Sequence, residues 1–108
     1  MNINTVYQSG RLTVSLSGEL DHHEARKAME SIEEALDAAM PKEVILDMSH
    51  LGFMDSSGIA LVLKMKRLLS ITDGRMLISL PQPQPLKVLE AAGIDAIIPI
   101  KTKWEVTT

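Results

Sequence analysis

The sequence predicts an α/β domain: a mixed, mostly parallel β-sheet of about five strands, opened by an N-terminal hairpin and accompanied by about three to four helices. Three observations carry this prediction. Short runs of Val, Ile and Leu alternate with longer runs whose apolar residues recur at helical spacing. The first two apolar runs are separated by turn chemistry, Ser9-Gly10-Arg11. Val44-Ile45-Leu46 is apolar without interruption, as in a central strand covered on both faces.

Element by element, Ile3 to Tyr7 and the alternating Leu12, Val14 and Leu16 give the hairpin. After Gly18-Glu19-Leu20, Asp21 is placed to cap a helix with Glu24 three residues on, and Ala25, Ala28, Met29, Ile32, Leu36 and Met40 follow at helical spacing. Pro41 ends that helix. The strand at Val44-Ile45-Leu46 leads into a loop carrying Asp55 to Gly58, and a second helix runs from Ile59 to Ile71 until Asp73-Gly74 breaks it. Met76-Leu77-Ile78 gives a fourth strand. Pro81-Gln82-Pro83-Gln84-Pro85 reads either as a polyproline ligand or as a loop entering a helix whose first turn tolerates proline. A short helix through Leu86, Val88, Leu89 and Ala92 then meets Gly93 as its C-cap, and Ile97-Ile98-Pro99-Ile100 gives a last strand near an edge, because proline donates no ladder bond. The tail from Lys101 is left unassigned.

The 108 residues fit one domain, 1–108. With 45% hydrophobic residues, 3% aromatic residues and seven Met, the core is aliphatic and base-stacking platforms are lacking. A net charge of -3 without a basic run argues against nucleic acid and anionic membranes as partners. The absence of cysteine excludes disulfides and thiolate metal sites. No signal peptide or membrane-spanning stretch is evident, so the expected location is the cytoplasm. His22 and His23 are poor candidates for a metal site, because neighbouring helical residues point about 100° apart and His50 is the only other imidazole. No cofactor or metal is expected.

The chemistry centres on Asp55-Ser56-Ser57-Gly58 at the mouth of the second helix. A serine there is commonly just an N-cap. The other reading is a modification site, since the first N–H groups of a helix lack internal partners and the helix dipole leaves partial positive charge to receive a phosphate. Gly58 would let another molecule approach the backbone closely. Along the helix, Leu61, Met65 and Leu68 form an i, i+4, i+7 stripe beside a second stripe of Ile59, Val62, Leu63 and Leu69, so one of them is a candidate docking surface unless the helix is buried on most sides.

Gly18-Glu19-Leu20-Asp21-His22-His23, followed by Phe53-Met54-Asp55-Ser56-Ser57-Gly58-Ile59, resembles the anti-sigma factor antagonists of the STAS domain family. The likeness runs from about Ile3 to Ile100. It departs at Pro85, where the family has an aliphatic residue, and over residues 101–108, which are short for the family's C-terminal helix. The resemblance implies a STAS-like fold and a protein that is not an enzyme. Its unphosphorylated form would bind an anti-sigma factor that is also an ATP-dependent serine kinase, releasing the sigma factor, and phosphorylation of Ser57 by that kinase would switch binding off. A serine phosphatase would reset it. By the same resemblance Asp21 lies beside the phosphoacceptor, Asp55 precedes it, and both contact the kinase. The expected partner surface is therefore Asp21, Asp55, Ser56, Ser57, Gly58, Leu61 and Met65. The competing function is a STAS scaffold that never switches, in a stress-sensing assembly or beside a transporter. A serine-hydrolase reading fails because Asp55 stands where the nucleophile elbow requires glycine.

Overall fold

The computed structural model describes residues 1–103, so residues 104–108 of the unassigned tail, including the end of any C-terminal helix, lie outside the described part of the chain. The elements are β1 (Asn2–Gln8), β2 (Arg11–Leu20), α1 (His22–Ala39), β3 (Glu43–Met54), α2 (Ser56–Ile71), β4 (Arg75–Ser79), α3 (Pro83–Ala91), a 3₁₀ turn (Ile94–Ala96) and β5 (Ile100–Lys101). The strands form one sheet in the order β1-β2-β3-β4-β5. β1 is antiparallel to β2, and every other pairing is parallel. This is the mixed, mostly parallel sheet with an opening hairpin that the sequence predicts.

The core lies where the even-numbered residues of β2 and β3 meet the helices. Leu12, Val14 and Leu16 on β2 and Val44, Leu46 and Met48 on β3 are buried against Ala28 and Ile32 of α1 and Val62 and Met65 of α2. Ile45 on the opposite face is buried too, but it borders an open hollow lined by Thr13, Glu43 and Arg75 with no helix residue, so the expected cover on both faces of this strand is found on one face only. No helix among the described residues is long and apolar enough to cross a membrane.

Three expectations about the elements need correction. β3 does not stop after Leu46 but continues to Met54, so no loop precedes Asp55. The pairing of β2 with β3 shifts between Ser15 and Ser17 and again between Gly18 and Glu19, each shift placing one extra residue on β3. The inward side chains of β3 after Met48 are consequently Leu51 and Met54, three residues apart, and the alternation that advertises a strand is lost. Second, α2 begins at Ser56, so both serines lie in its first turn and neither is the cap. Third, the last strand is only Ile100–Lys101; Gly93 turns the chain at φ 74° into the 3₁₀ turn, and Ile98 plugs the core instead of joining a ladder. The proline segment takes the reading of a loop that enters a helix, as expected, and is not free to act as a ligand. Pro83 opens α3, Gln82 donates Nε2 to the Ser49 carbonyl at 2.8 Å, and the Gln84 amide bonds both the N–H (2.8 Å) and the carbonyl (2.9 Å) of Met54. β4 pairs with β3 only as far as Asp47, so these two glutamines supply to the end of β3 the bonds a strand would have made.

Candidate functional site

Leu20 and Met54 are register partners at the C-terminal ends of adjacent parallel strands. The chain leaves each through an extended aspartate, Asp21 at φ −99° and ψ −175°, and Asp55 at φ −106° and ψ −169°, and each aspartate caps a helix. The Glu24 N–H donates to Asp21 Oδ1 at 2.9 Å, and the Ser57 N–H donates to Asp55 Oδ1 at 2.8 Å. The Asp55 N–H donates to the Leu20 carbonyl at 3.3 Å, tying the two junctions together. Because the strands end in register, α1 and α2 begin side by side.

Ser56 is exposed and Ser57 is half-buried, facing α1. The side chain that reaches Ser57 is that of His22, the first residue of α1, whose Nδ1 lies 3.4 Å from the hydroxyl oxygen, at the long limit of a hydrogen bond. In the sequence His22 stands within the motif that carries the family resemblance, with no role of its own beyond that of a rejected metal ligand. The signal for its role is the matched strand ends, which the apolar pattern alone does not reveal. Asp21, expected beside the phosphoacceptor, is on the neighbouring junction with its carboxylate engaged by its own helix. That N–H of Glu24, foremost, with the His23 backbone and the positive charge at His23 added, outweighs desolvation and holds the Asp21 carboxyl below its ordinary value.

The helix end offers an anion less than the sequence suggests. The Ser57 N–H is taken by the Asp55 carboxylate and the Gly58 N–H by the Asp55 carbonyl at 3.0 Å. Gly58 is buried, and a Cβ there would lie 2.2 Å from Cγ and 2.5 Å from Sδ of Met54, so it serves the packing of α2 onto β3 and presents no backbone to a visitor. Leu61 and Met65 are likewise corrected: at 3% and 0% exposure they belong to the core and face the sheet. Leu61 still lines a hollow beside Ser57, and the rest of the surface around the serines is built from other residues. On one side a shallow hollow between α1 and α2 has Ala25, Met29 and Ala60 beneath and Arg26 and Lys64 at its margin. On the other, Phe53, Ile59, Val88 and Ala92 line a second hollow toward α3, with Phe53 39% exposed.

Fold and site together define a class: an α/β domain that presents a serine on an open ridge between two aspartate-capped helix starts. The chain belongs to the STAS domain family, whose family model matches residues 2–106. It is 32% identical over 100 residues to an anti-sigma F factor antagonist of Paenibacillus polymyxa, covering 93% of this chain and 86% of that one. Among solved structures it is similar to the anti-sigma factor antagonist SpoIIAA in its unphosphorylated form, with a TM-score of 0.81 and 29% identity, covering 94% of this chain and 90% of that one. It is also similar to the Bacillus cell fate determinant SpoIIAA in the phosphorylated form, with a TM-score of 0.73 and 29% identity over 94% and 93% of the two chains.

Proposed function

We propose that this chain is an anti-sigma factor antagonist switched by phosphorylation of Ser57. It is a regulatory protein and not an enzyme. The unmodified form binds an anti-sigma factor, which is also its serine kinase and uses ATP, and so releases a sigma factor; a serine phosphatase resets the switch. The reading places this in the cytoplasm and treats 1–108 as one domain.

The observation that carries the reading is the accessible hydroxyl of Ser57 on a ridge that already holds two carboxylates, Asp21 and Asp55. Both SpoIIAA forms, unphosphorylated and phosphorylated, resemble this chain over most of its length, which supports a fold that accepts the modification. A phosphate adds roughly 1.5 to 2 negative charges and three acceptor oxygens at that point. Burying them against a surface built for a hydroxyl costs several kcal/mol, roughly 2 to 7 for an unpaired polar group and more for a charge, whereas a helix end returns about 0.3 to 1. Binding therefore fails before folding does. In this reading Ser56, Ser57, Asp55 and Asp21 meet the partner, while Gly58, Leu61 and Met65 support them from within.

Incubation with the cognate kinase and ATP, followed by mass-spectrometric localisation, is expected to find phosphate on Ser57. Phosphate on Ser56 alone overturns the assignment. Ser57→Ala is expected to bind the anti-sigma factor and to resist inactivation by ATP. Equal affinity of phosphorylated and unmodified protein for that partner would instead identify a STAS scaffold without a switch.

A further inference from the structure

We propose that His22 is the counter-charge and positioning residue for a phosphate on Ser57, donating a hydrogen bond from Nδ1 to a phosphate oxygen. This inference rests on the reading of Ser57 as the modified residue and adds a partner for the modification within the chain itself.

Phosphorylation fixes the polarity of the contact between His22 and Ser57. In the unmodified protein His22 Nδ1 and Ser57 Oγ lie 3.4 Å apart, a contact in which the ring accepts the hydroxyl proton or donates to the hydroxyl oxygen according to its tautomer. Once Oγ is esterified it has no proton to give, and every phosphate oxygen is an acceptor. Whichever tautomer precedes it, the ring must then be the donor, and the protonated imidazolium does this with a charge-assisted bond. Because the phosphoryl group extends beyond Oγ, its oxygens come within reach of the nitrogen that is already at the hydroxyl.

The surrounding charges leave that role to His22. Asp21 and Asp55, at the two junctions, both repel a phosphate, and their carboxylates are occupied with the N–H groups of Glu24 and Ser57. Asp55 also occupies two of the helix N–H groups open to an anion, those of Ser57 and Gly58. From α2, Lys64 lies at the far margin of the hollow and is held by Glu33 at 2.6 Å. From α1, Arg26 is one turn beyond His22, and the His23 ring is 6.1 Å from that of His22 with its planes at 62°. On the β1 side, the positive charge of the Met1 amino group acts on Asp21. None of these touches Ser57 among the described contacts, whereas His22 does.

The ordinary values of a phosphoserine, about 6, and of an imidazole, about 6.5, lie close enough that two such groups in contact are coupled. The test uses full-length protein with phosphoserine installed at position 57 during synthesis, which makes it independent of any kinase. In ³¹P NMR titrations the phosphate midpoint is expected about half a unit to one unit lower in the wild type than in His22→Gln. The His22 ring midpoint is expected to rise by a similar amount on phosphorylation. His23→Gln should leave the ³¹P midpoint where it was. Equal ³¹P midpoints in the wild type and His22→Gln, or a larger change in His23→Gln, overturn the proposal. Failure of the switch itself would appear elsewhere, as equal affinity for the anti-sigma factor with and without the phosphate.

Discussion

Gly58 and Met54 show how tightly the serine ridge is built onto the sheet. Met54 is fully buried, and its side chain occupies the space a Cβ at position 58 would enter, with Leu20 Cδ2 3.1 Å away on the other side. Gly58→Ala would gain up to about 1 kcal/mol of helix propensity but lose about 1 to 3 from overpacking. A net loss of up to about 2 kcal/mol in urea unfolding is expected. In a Met54→Ala background the same change should cost much less, because the obstacle is gone, and additivity of the two would refute the contact. The residue scale also fixes a pH dependence. Asp21 is held below its ordinary value of 3.8, chiefly by the Glu24 N–H, so the folded state binds its proton more weakly than the unfolded chain. The stabilisation is thus complete above the unfolded value and disappears as pH falls through the lower, folded one. Carboxyl NMR should place the Asp21 midpoint below that of an unstructured aspartate, and Asp21→Asn should flatten the acid limb of the stability curve.

Among the elements, the end of β3 is the least conventional and the most informative. Its last backbone groups are satisfied by glutamine side chains from the proline-rich segment. Gln84→Ala strips partners from both the N–H and the carbonyl of Met54, so a loss of about 1 to 3 kcal/mol is expected, with faster amide exchange at Met54. Gln82→Ala removes one bond, to Ser49, and should cost less. Unchanged exchange at Met54 in Gln84→Ala would mean that water or another group replaces the amide without loss. The same region explains where the sequence was legible and where it was not. Asp21 with Glu24, the long apolar periodicity of α1 and the uninterrupted Val44-Ile45-Leu46 each stated their structure through local chemistry, and the hydrogen bond and burial agree. The continuation of β3 was hidden because its bulges move the inward residues to Leu51 and Met54, outside any period of two. The identity of the α2 cap was hidden because Asp and Ser both serve, and only the extended backbone at Asp55 distinguishes them. Leu61 and Met65 looked available because apolar periodicity marks a face without saying what covers it. His22 beside Ser57 required knowledge of strand register, a relation between residues 35 positions apart.

At the scale of the whole molecule, chain order and sheet order coincide, so each parallel strand from β2 to β4 ends at the same sheet edge and hands over there to a helix. That edge, beyond the carboxyl ends of the strands, is where open α/β sheets present their sites, and it holds Asp21, His22, Asp55, Ser57 and the amide of Gln84. The core lies behind it, and the serine ridge carries no part of the buried cluster except through Gly58. A negative charge added at Ser57 is therefore felt by solvent and by a docked protein more than by the fold. The helix end and the two neighbouring carboxylates act on it in opposite directions, each by roughly 0.3 to 1 kcal/mol at an exposed site. For a domain of this size 1 kcal/mol moves the thermal midpoint by about 4 to 8 °C, so Ser57→Asp is expected to shift it by less than about 5 °C. Against the anti-sigma factor the same charge, desolvated without a partner, should weaken binding by more than about 100-fold. Calorimetric unfolding and binding measured on one preparation of Ser57→Asp separate the two effects. A collapse in thermal midpoint with proportionate loss of binding would make Ser57 an architectural residue and place the switch elsewhere.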